Sequence, residues 1–245
     1  MSEVIDKWEQ DRLNDMILSV KNLNKHELMS AINWMVLGDG SITKPLRGQS
    51  RLEISHTDHL DYLQWKKAII ENITGAEIKD RPPSKSVLAY SDKWSQRLRS
   101  KTHPVFSGLR ERLYGVVGRK AIDIHALKIL TPMGLAILYQ DDGSYAYSDA
   151  RGYKDQNVLI HTLAFGELEN EALARIIVKA TGLIFRVNRV KKRGKIKYRL
   201  RLRSKDIQKF FDWIYPYIVP SMLYKLGRGS EWEFNYDQNL NIAPI

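Results

Sequence analysis

The sequence contains no cysteine and no apolar run of the length that a membrane helix needs. The first absence excludes disulfides and thiolate metal sites and is typical of a reducing compartment. The second excludes a conventional membrane-spanning helix, which takes about 20 apolar residues. The first residues are acidic and include no apolar segment, so no signal or transit peptide is apparent. We therefore expect a soluble intracellular protein, from a bacterial or phage-infected cytoplasm or an organelle matrix.

Acidic residues are scarce relative to basic ones, since 28 Asp and Glu stand against 39 Lys and Arg in 245 residues. The formal net charge is +11, and the excess is concentrated in residues 172–205, which contain thirteen Lys and Arg and no Asp or Glu. A concentration of this kind favours a polyanionic partner, because neutralisation of phosphates supplies most of the sequence-independent affinity for nucleic acid. With 43% hydrophobic residues the chain is typical of a globular protein.

Residues 130–145 predict a buried helix with an acidic end. Thr131 suits the N-cap and Pro132 the first helical position, and the residues that follow are apolar on nearly every side. The helix then delivers Asp141 and Asp142 to its last turn, where the helix dipole disfavours negative charge. The pattern therefore predicts a divalent cation, which carboxylates and free helix-end carbonyls can hold together.

Residues 26–42 repeat this design. Asn24 suits the N-cap of another apolar helix, which ends in Asp39-Gly40-Ser41 as the later one ends in Asp142-Gly143-Ser144. The two aspartates are 103 residues apart (142 − 39), so each helix can begin a unit of the same size. Two such helices packed side by side would bring both aspartates into one pocket, and paired carboxylates that hold metal are used in phosphodiester hydrolysis.

Three segments resemble the LAGLIDADG homing endonucleases, in the single-chain form with two motif helices and of the omega-type intron-encoded kind. They are V-L-G-D-G-S at 36–41, L-T-P-M-G-L-A-I-L-Y-Q-D-D-G at 130–143 and Y-P-Y-I-V-P-S-M-L-Y-K-L at 215–226. At the third motif position, where a small residue often lets the helices approach, this chain has Trp34 and Ile137. We therefore expect a less close contact between the two helices.

The resemblance implies an α+β fold of two pseudo-symmetric α-β-β-α-β-β-α repeats. Curved antiparallel sheets would form a DNA-binding saddle, with the motif helices at the repeat interface. The expected parts are an N-terminal helical extension at 1–25, repeats at 26–115 and 130–227, a linker at 116–129 and a tail at 228–245. The implied activity is metal-dependent double-strand cleavage of a long asymmetric DNA site by a monomer, in the service of intron homing.

The resemblance also implies the residues of the metal site. Asp39 and Asp142 would hold Mg²⁺, with Mn²⁺ as a substitute and Ca²⁺ binding without turnover. Gly38 and Asp141 would add backbone oxygens, and the Asp141 carboxylate is an alternative ligand.

Two lysines fall where family members place a basic residue near each active centre. Lys225 lies in M-L-Y-K-L and Lys120 in G-R-K-A-I. The resemblance implies that they stabilise charge on the reacting phosphate. Arg119 is the alternative to Lys120.

His56 and His59 have a spacing that occurs in metal sites. The sequence offers no second pair of ligands to accompany them, and they lie at a strand-to-helix junction. We therefore predict a structural role for both histidines.

The segment 195–203 alternates strictly between basic residues at odd positions and apolar residues at even positions. A strand of this pattern presents cations on one face and a core on the other. Nine residues at about 3.3 Å each span roughly 30 Å, close to one turn of duplex at about 34 Å, so the strand can follow a major groove. The candidate DNA-binding residues are Arg47, Gln49, Arg51, Lys79, Arg81, Lys85, Arg186, Arg189, Lys191, Lys192, Arg193, Lys195, Lys197, Arg199, Arg201 and Arg203. The first-half set is smaller and mixed with acids, which predicts an asymmetric target.

Other elements follow from periodicity and turn residues. In the first half we predict strands at 51–55, 77–81 and 86–91 and helical segments at 60–70, 94–99 and 104–114. In the second half we predict strands at 145–147, 157–163, 183–190 and 195–203 and helices at 167–181 and 206–218.

Two other functions remain open on this sequence. One is an RNA-binding maturase that assists splicing of intron RNA, and the other is a degenerate DNA-binding regulator. Neither needs the paired aspartates, so their presence favours cleavage.

Overall fold

A computed structural model describes residues 7–44, 48–82, 94–114, 118–148 and 155–227. The helices are α1 (Lys7–Ser19), α2 (Lys25–Leu37), α3 (Leu60–Ile70), α4 (Pro104–Tyr114), α5 (Ile124–Leu127), α6 (Pro132–Asp142), α7 (Glu167–Thr181) and α8 (Ile207–Ile214). The strands are β1 (Ser41–Ile42), β2 (Leu52–His56), β3 (Ala76–Arg81), β4 (Ser95–Ser100), β5 (Gly143–Ser148), β6 (Asp155–Ile160), β7 (Phe185–Lys192) and β8 (Lys195–Leu202). Short 3₁₀ segments at 204–206, 215–217 and 220–226 flank and follow α8.

Each half of the chain forms one four-stranded antiparallel sheet. The strand order is β1-β2-β4-β3 in the first sheet and β5-β6-β8-β7 in the second. Both halves also follow the order helix, two strands, helix, two strands, helix, beginning at α2 and at α6. The predicted α+β class with two antiparallel sheets is confirmed. Among the described helices, none combines the length and the apolar character needed to cross a membrane.

Both motif helices begin where their caps predict. The side chain of Asn24 accepts hydrogen bonds from the backbone N–H groups of His26 and Glu27, and the Glu27 carboxylate accepts one from the Asn24 N–H. This capping box satisfies donors that the first turn of α2 leaves free. In α6, Thr131 Oγ1 accepts from the Gly134 N–H at 3.2 Å, and Pro132 occupies the first turn. The caps thus fix where each motif helix begins, and Gly38 and Gly143 follow their last residues.

The two motif helices contact each other closely at Gly134. A Cβ atom at this position would lie 2.5 Å from Ser30 Oγ and 2.8 Å from Trp34 Cδ1, so only glycine fits. The Trp34 ring is fully buried, and its Nε1 donates to the Ile129 carbonyl at 2.9 Å. The expectation of a less close contact is wrong, because Gly134 of the facing helix provides the space that the Trp34 ring needs.

Helix α1 packs against both halves. Its Leu13 and Met16 are buried. The Arg12 guanidinium donates to the carbonyls of Tyr215 and Ile218 in the second half, at 2.9 and 3.2 Å. The N-terminal helix therefore helps to hold the two repeats together.

Strand β4 occupies the segment 95–100, for which the sequence predicted a helix. Leu98 is buried and lies opposite both Ile54 of β2 and Ile78 of β3. Arg97 and Arg99 alternate with it on the other face of the sheet. The helical prediction is wrong, because a strand paired on both sides needs only this one large apolar residue to join the core. The strand predicted at 86–91 lies outside the described residues.

Strand β8 contributes to the core through only part of its length. Leu200 and Leu202 are buried, whereas Ile196 is 48% exposed. Its hairpin with β7 turns at Arg193 and Gly194, whose φ values of 49° and 75° are those of a tight turn with two left-handed residues. The tip of the hairpin therefore extends beyond the core, and the predicted apolar face is confirmed only near the end of the strand.

This difference in burial predicts different costs for two truncations in β8. Leu200→Ala leaves a cavity and should lower the free energy of unfolding by about 2–5 kcal/mol. Ile196→Ala, on the same face of the same strand, should have a much smaller effect. Urea denaturation of both variants measures the difference. Equal losses would show that the register of β8 is wrong.

Candidate active site and nucleic-acid interface

The ends of α2 and α6 meet, and Asp141 crosses between them. Its Oδ2 accepts a hydrogen bond from the Asp39 backbone N–H at 3.1 Å. A Cβ atom at Gly38 would lie 2.2 Å from the same oxygen, so glycine is required there. The Asp141 carboxylate, which the sequence offered as a metal ligand, is thus bonded to the other motif.

Helix α3 neutralises this carboxylate. Lys66 Nζ lies 2.5 Å from Asp141 Oδ1, and both side chains are 0% exposed. The Tyr62 hydroxyl donates to the same oxygen at 2.9 Å. Breaking a buried pair of this kind leaves an uncompensated charge and is strongly destabilising. Lys66 and Tyr62 were not predicted as residues of the site. The sequence does contain one signal for them, which is their i, i+4 spacing on the apolar side of α3.

Asp39 and Asp142 are the two remaining acids of the group that we call the carboxylate cluster (Asp39, Asp141 and Asp142). Burial raises the pKa of Asp39 to about 6, with the charge of Asp141 adding to the effect. Burial raises the pKa of Asp142 to about 7, with the charges of Asp39 and Asp141 adding to it. Carboxylates that repel one another and resist ionisation fit a divalent cation, whose charge would offset both costs.

The two predicted lysines lie at the same centre. Lys120 Nζ donates to the Gly38 carbonyl at 2.6 Å, and Lys225 Nζ donates to the Gln140 carbonyl at 2.5 Å. Burial lowers the pKa of both lysines, and the carboxylate cluster partly offsets this. Arg119, the alternative to Lys120, instead forms an ion pair with α7. The Gly38 carbonyl, predicted as a metal-site oxygen, is here the acceptor for a lysine.

His56 also lies at the centre. Its Nε2 is 3.7 Å from Asp39 Oδ2 and 3.9 Å from Asp141 Oδ1. Burial, with the charge of Lys66 adding to it, lowers the pKa of His56 to about 3, so the ring is neutral. His59 lies apart and hydrogen-bonds through Nδ1 to Ser221 Oγ at 3.0 Å. The two histidines, grouped by the sequence, therefore have different surroundings.

The second sheet carries a cationic surface that we call the basic face. Cross-strand pairs join Arg186 to Arg201 and Asn188 to Arg199, and Arg199 Nε donates to Asn188 Oδ1 at 3.0 Å. The basic face comprises Arg186, Lys192, Lys195, Lys197, Arg199 and Arg201. The pattern of β8 predicted this grouping, with Arg193 at the hairpin tip.

The register separates two predicted DNA-binding residues from this surface. Arg189 pairs with Tyr198 and Lys191 with Ile196, so both lie on the opposite face of the sheet. Helix α7 covers the part of this face that is closer to the core. The prediction treated every cation of β7 alike. It did not apply the period of two to that strand, whose basic residues are not at regular positions.

One other candidate has a partner within the protein, and two are not described. Arg203 forms an ion pair with Asp206 at 3.1 Å, beside the start of α8, and so has a structural partner. Arg47 and Lys85 lie outside the described residues.

The first sheet has a mixed face with an acid at its centre. Glu53 forms ion pairs with Arg51 at 3.0 Å, Arg99 at 2.9 Å and Arg97 at 3.8 Å. The prediction missed Arg97 and Arg99 because it assigned their segment to a helix.

The other first-half candidates lie at the surface. Lys79 is exposed and pairs with Glu77 at 3.0 Å. Gln49 and Arg81 are exposed. The first sheet therefore presents cations that acids partly neutralise.

Comparisons with known proteins agree with this architecture. A family model described as the LAGLIDADG DNA endonuclease family matches residues 29–210. Protein RecA of Mycobacterium shimoidei is 28% identical over 200 residues, which cover 78% of this chain and 44% of that protein. Probable intron-encoded endonuclease 1 of Wickerhamomyces canadensis is 30% identical over 100 residues, 41% of each chain. The chain thus spans less than half the length of these curated relatives.

A solved structure shows the same fold. The homing endonuclease I-WcaI bound to its DNA recognition sequence has a TM-score of 0.66 and 20% identity, with 92% of this chain and 94% of that chain covered.

The raised pKa of Asp142 predicts a pH-dependent effect of Asp142→Asn on the metal-free protein. A carboxyl group whose pKa is higher in the folded state than in the unfolded state favours folding at low pH. This contribution is lost as the pH rises through the folded value of about 7. The variant should therefore gain melting temperature relative to the parent as the pH rises from about 4 to about 8. Thermal melts in a chelator measure this, with substitution of the exposed Asp15, Asp15→Asn, as the control. A gain independent of pH would contradict the raised pKa.

Proposed function

Because the chain belongs to the LAGLIDADG DNA endonuclease family, we propose that it cleaves both strands of duplex DNA within a long, asymmetric site and does so as a monomer. The observation that carries this proposal is that Asp39 and Asp142, one from each repeat, both have raised pKa values and lie close enough for the charge of Asp39 to raise the pKa of Asp142. Each DNA strand could then be cut beside one of the two carboxylates, which suits a double-strand break.

Asp39 and Asp142 would hold the divalent cation, for which we propose Mg²⁺, with Mn²⁺ as a substitute and Ca²⁺ binding without turnover. A bound cation of this class supplies a nucleophile from water and stabilises charge on phosphoryl oxygen. The backbone oxygens of Gly38 and Asp141 are further candidate ligands, once Lys120 moves away from the Gly38 carbonyl.

Lys120 and Lys225 would act on the phosphates. Each is held at a helix-end carbonyl beside the carboxylate cluster and has a lowered pKa. An ammonium group in a poorly solvated position stabilises developing negative charge more strongly than one in water. The two lysines would thus serve one strand each.

The sheets would bind the DNA, and the second sheet more strongly. Its basic face presents cations in register, whereas Glu53 neutralises arginines at the centre of the first sheet. Phosphate neutralisation supplies sequence-independent affinity, so the second repeat should engage its half of the target first. No observation on the described residues specifically favours the maturase or the regulator, and neither is proposed.

Removal of either central carboxylate tests the proposed activity. Asp39→Asn and Asp142→Asn should each abolish double-strand cleavage, because each removes the charge that holds a cation beside one strand. Affinity for a cleavable duplex in Ca²⁺ should stay within about tenfold, or roughly 1.4 kcal/mol. Gel-based cleavage and binding assays measure both, with Asp15→Asn as the control. Normal Mg²⁺-dependent cutting by either variant would refute the assignment.

The register of β7 and β8 provides a matched pair of variants for the DNA interface. Arg199→Ala, on the basic face, should weaken DNA binding and reduce the slope of log affinity against log salt by about one for a lost phosphate contact. Arg189→Ala, on the other face of the same hairpin, removes the same charge. It should change the affinity and the salt dependence much less. Fluorescence anisotropy at several salt concentrations measures the two effects. A larger loss for Arg189→Ala would place the DNA on the other face.

A further inference from the structure

We propose that Asp39 and His56 form a mixed oxygen and nitrogen site for a transition-metal ion, with His56 Nε2 as a direct ligand. The site lies on the first-repeat side of the carboxylate cluster and takes ions such as Co²⁺, Mn²⁺ or Ni²⁺. The inference deepens the proposed metal-dependent function and rests on it.

The first observation is an unpaired buried nitrogen. The His56 side chain is 10% exposed, and its Nε2 has no hydrogen-bond partner among the described residues. Buried polar atoms in folded proteins are nearly always paired, so an exception requires an explanation. The nitrogen lies 3.7 Å from Asp39 Oδ2 and 3.9 Å from Asp141 Oδ1, and in the tautomer with the ring proton on Nδ1 it presents a lone pair to them. Two oxygens and a nitrogen lone pair have nothing to donate to one another, but all three attract a cation.

The distances fit one ion. Ligand atoms of Asp39, His56 and Asp141 all lie within 4.8 Å of one another. Two ligands with bonds of about 2.1 Å lie about 3.0–3.4 Å apart, so the 3.7 Å between His56 Nε2 and Asp39 Oδ2 closes with a small movement. The Asp39 side chain can make this movement, because it is 39% exposed and its position is open to solvent.

Asp141 contributes charge rather than a bond. Its Oδ1 already accepts from Lys66 and Tyr62, and its Oδ2 accepts from a backbone N–H. Tyr62 also fixes the histidine, because its ring packs edge-on against the His56 ring at a centroid distance of 5.2 Å. Supporting groups of this kind orient metal ligands.

The described residues of the second repeat contain no counterpart to this site. Ile54 of β2 pairs with β4 as Ile160 of β6 pairs with β8, so Thr162 is the equivalent of His56. The Thr162 hydroxyl donates to Asn170 and is therefore already paired. Imidazole favours later transition ions, whereas carboxylate and water favour Mg²⁺ and Ca²⁺. The two metal positions should therefore differ in ion preference, and only the first should bind through nitrogen.

The test is pulsed electron paramagnetic resonance on the full chain loaded with Mn²⁺ alone. We expect modulation from a directly bound nitrogen, which changes when the histidines are labelled with ¹⁵N. The modulation should disappear in His56→Gln and persist in His161→Gln, whose Nε2 is bonded to Ser144 Oγ at 2.8 Å. In calorimetric titrations, His56→Gln should weaken Co²⁺ binding by about tenfold or more and change Mg²⁺ binding much less.

The isotope experiment on the parent protein needs no variant to fold. Absence of a ¹⁵N-sensitive signal from the bound ion would overturn the inference, as would an unchanged signal in His56→Gln. Cleavage of duplex DNA in Mg²⁺ is measured on the same preparations. Cleavage without nitrogen coupling would refute the histidine ligand and leave the proposed function intact, whereas nitrogen coupling without cleavage would support the ligand and refute the function.

Discussion

The close contact between the ends of α2 and α6 is the constraint on which the rest of the structure depends. Gly134 lets the Trp34 ring of the facing helix lie against the backbone, and Gly38 leaves room for the Asp141 carboxylate. The Asp141 carboxylate then hydrogen-bonds to the Asp39 N–H, so the end of one motif is fixed by the other. Since each helix leads into the first strand of a sheet, this contact also fixes the orientation of the two sheets relative to the carboxylate cluster.

Bringing three acids together at a helix interface has an electrostatic cost, and the chain offsets it unequally. Asp141 is compensated by the buried Lys66 and becomes a fixed part of the interface. Among the described residues neither Asp39 nor Asp142 has a lysine as close as this, and their pKa values are raised to about 6 and 7. The charges of Lys120 and Lys225 lower both pKa values, although both ammonium groups donate hydrogen bonds to backbone carbonyls. The charge of Asp141 is thus compensated within the protein, whereas the raised pKa values of Asp39 and Asp142 still favour a cation.

The sequence predicts the parts of the fold that depend on local signals. The caps at Asn24 and Thr131 and the apolar runs after them place both motif helices, and the period of two in β8 places the basic face. Strand β4 was missed because its pattern is too short to be recognised without its neighbours. The contacts of Lys66 and His56 with Asp141 were not predicted, because Asp141 is 75 and 85 residues away (141 − 66 and 141 − 56). Side-chain partners at this separation cannot be read from periodicity.

The central proposal is that two carboxylates, one from each repeat, form a single centre that cuts both strands of one asymmetric DNA site. The most direct test is to incubate the protein with a diverse library of long duplexes in Mg²⁺ and to sequence the ends on both strands. We expect ends at one recurring site, with the two strands cut a fixed short distance apart. Nicks on one strand only, or ends without a common flanking sequence, would contradict it.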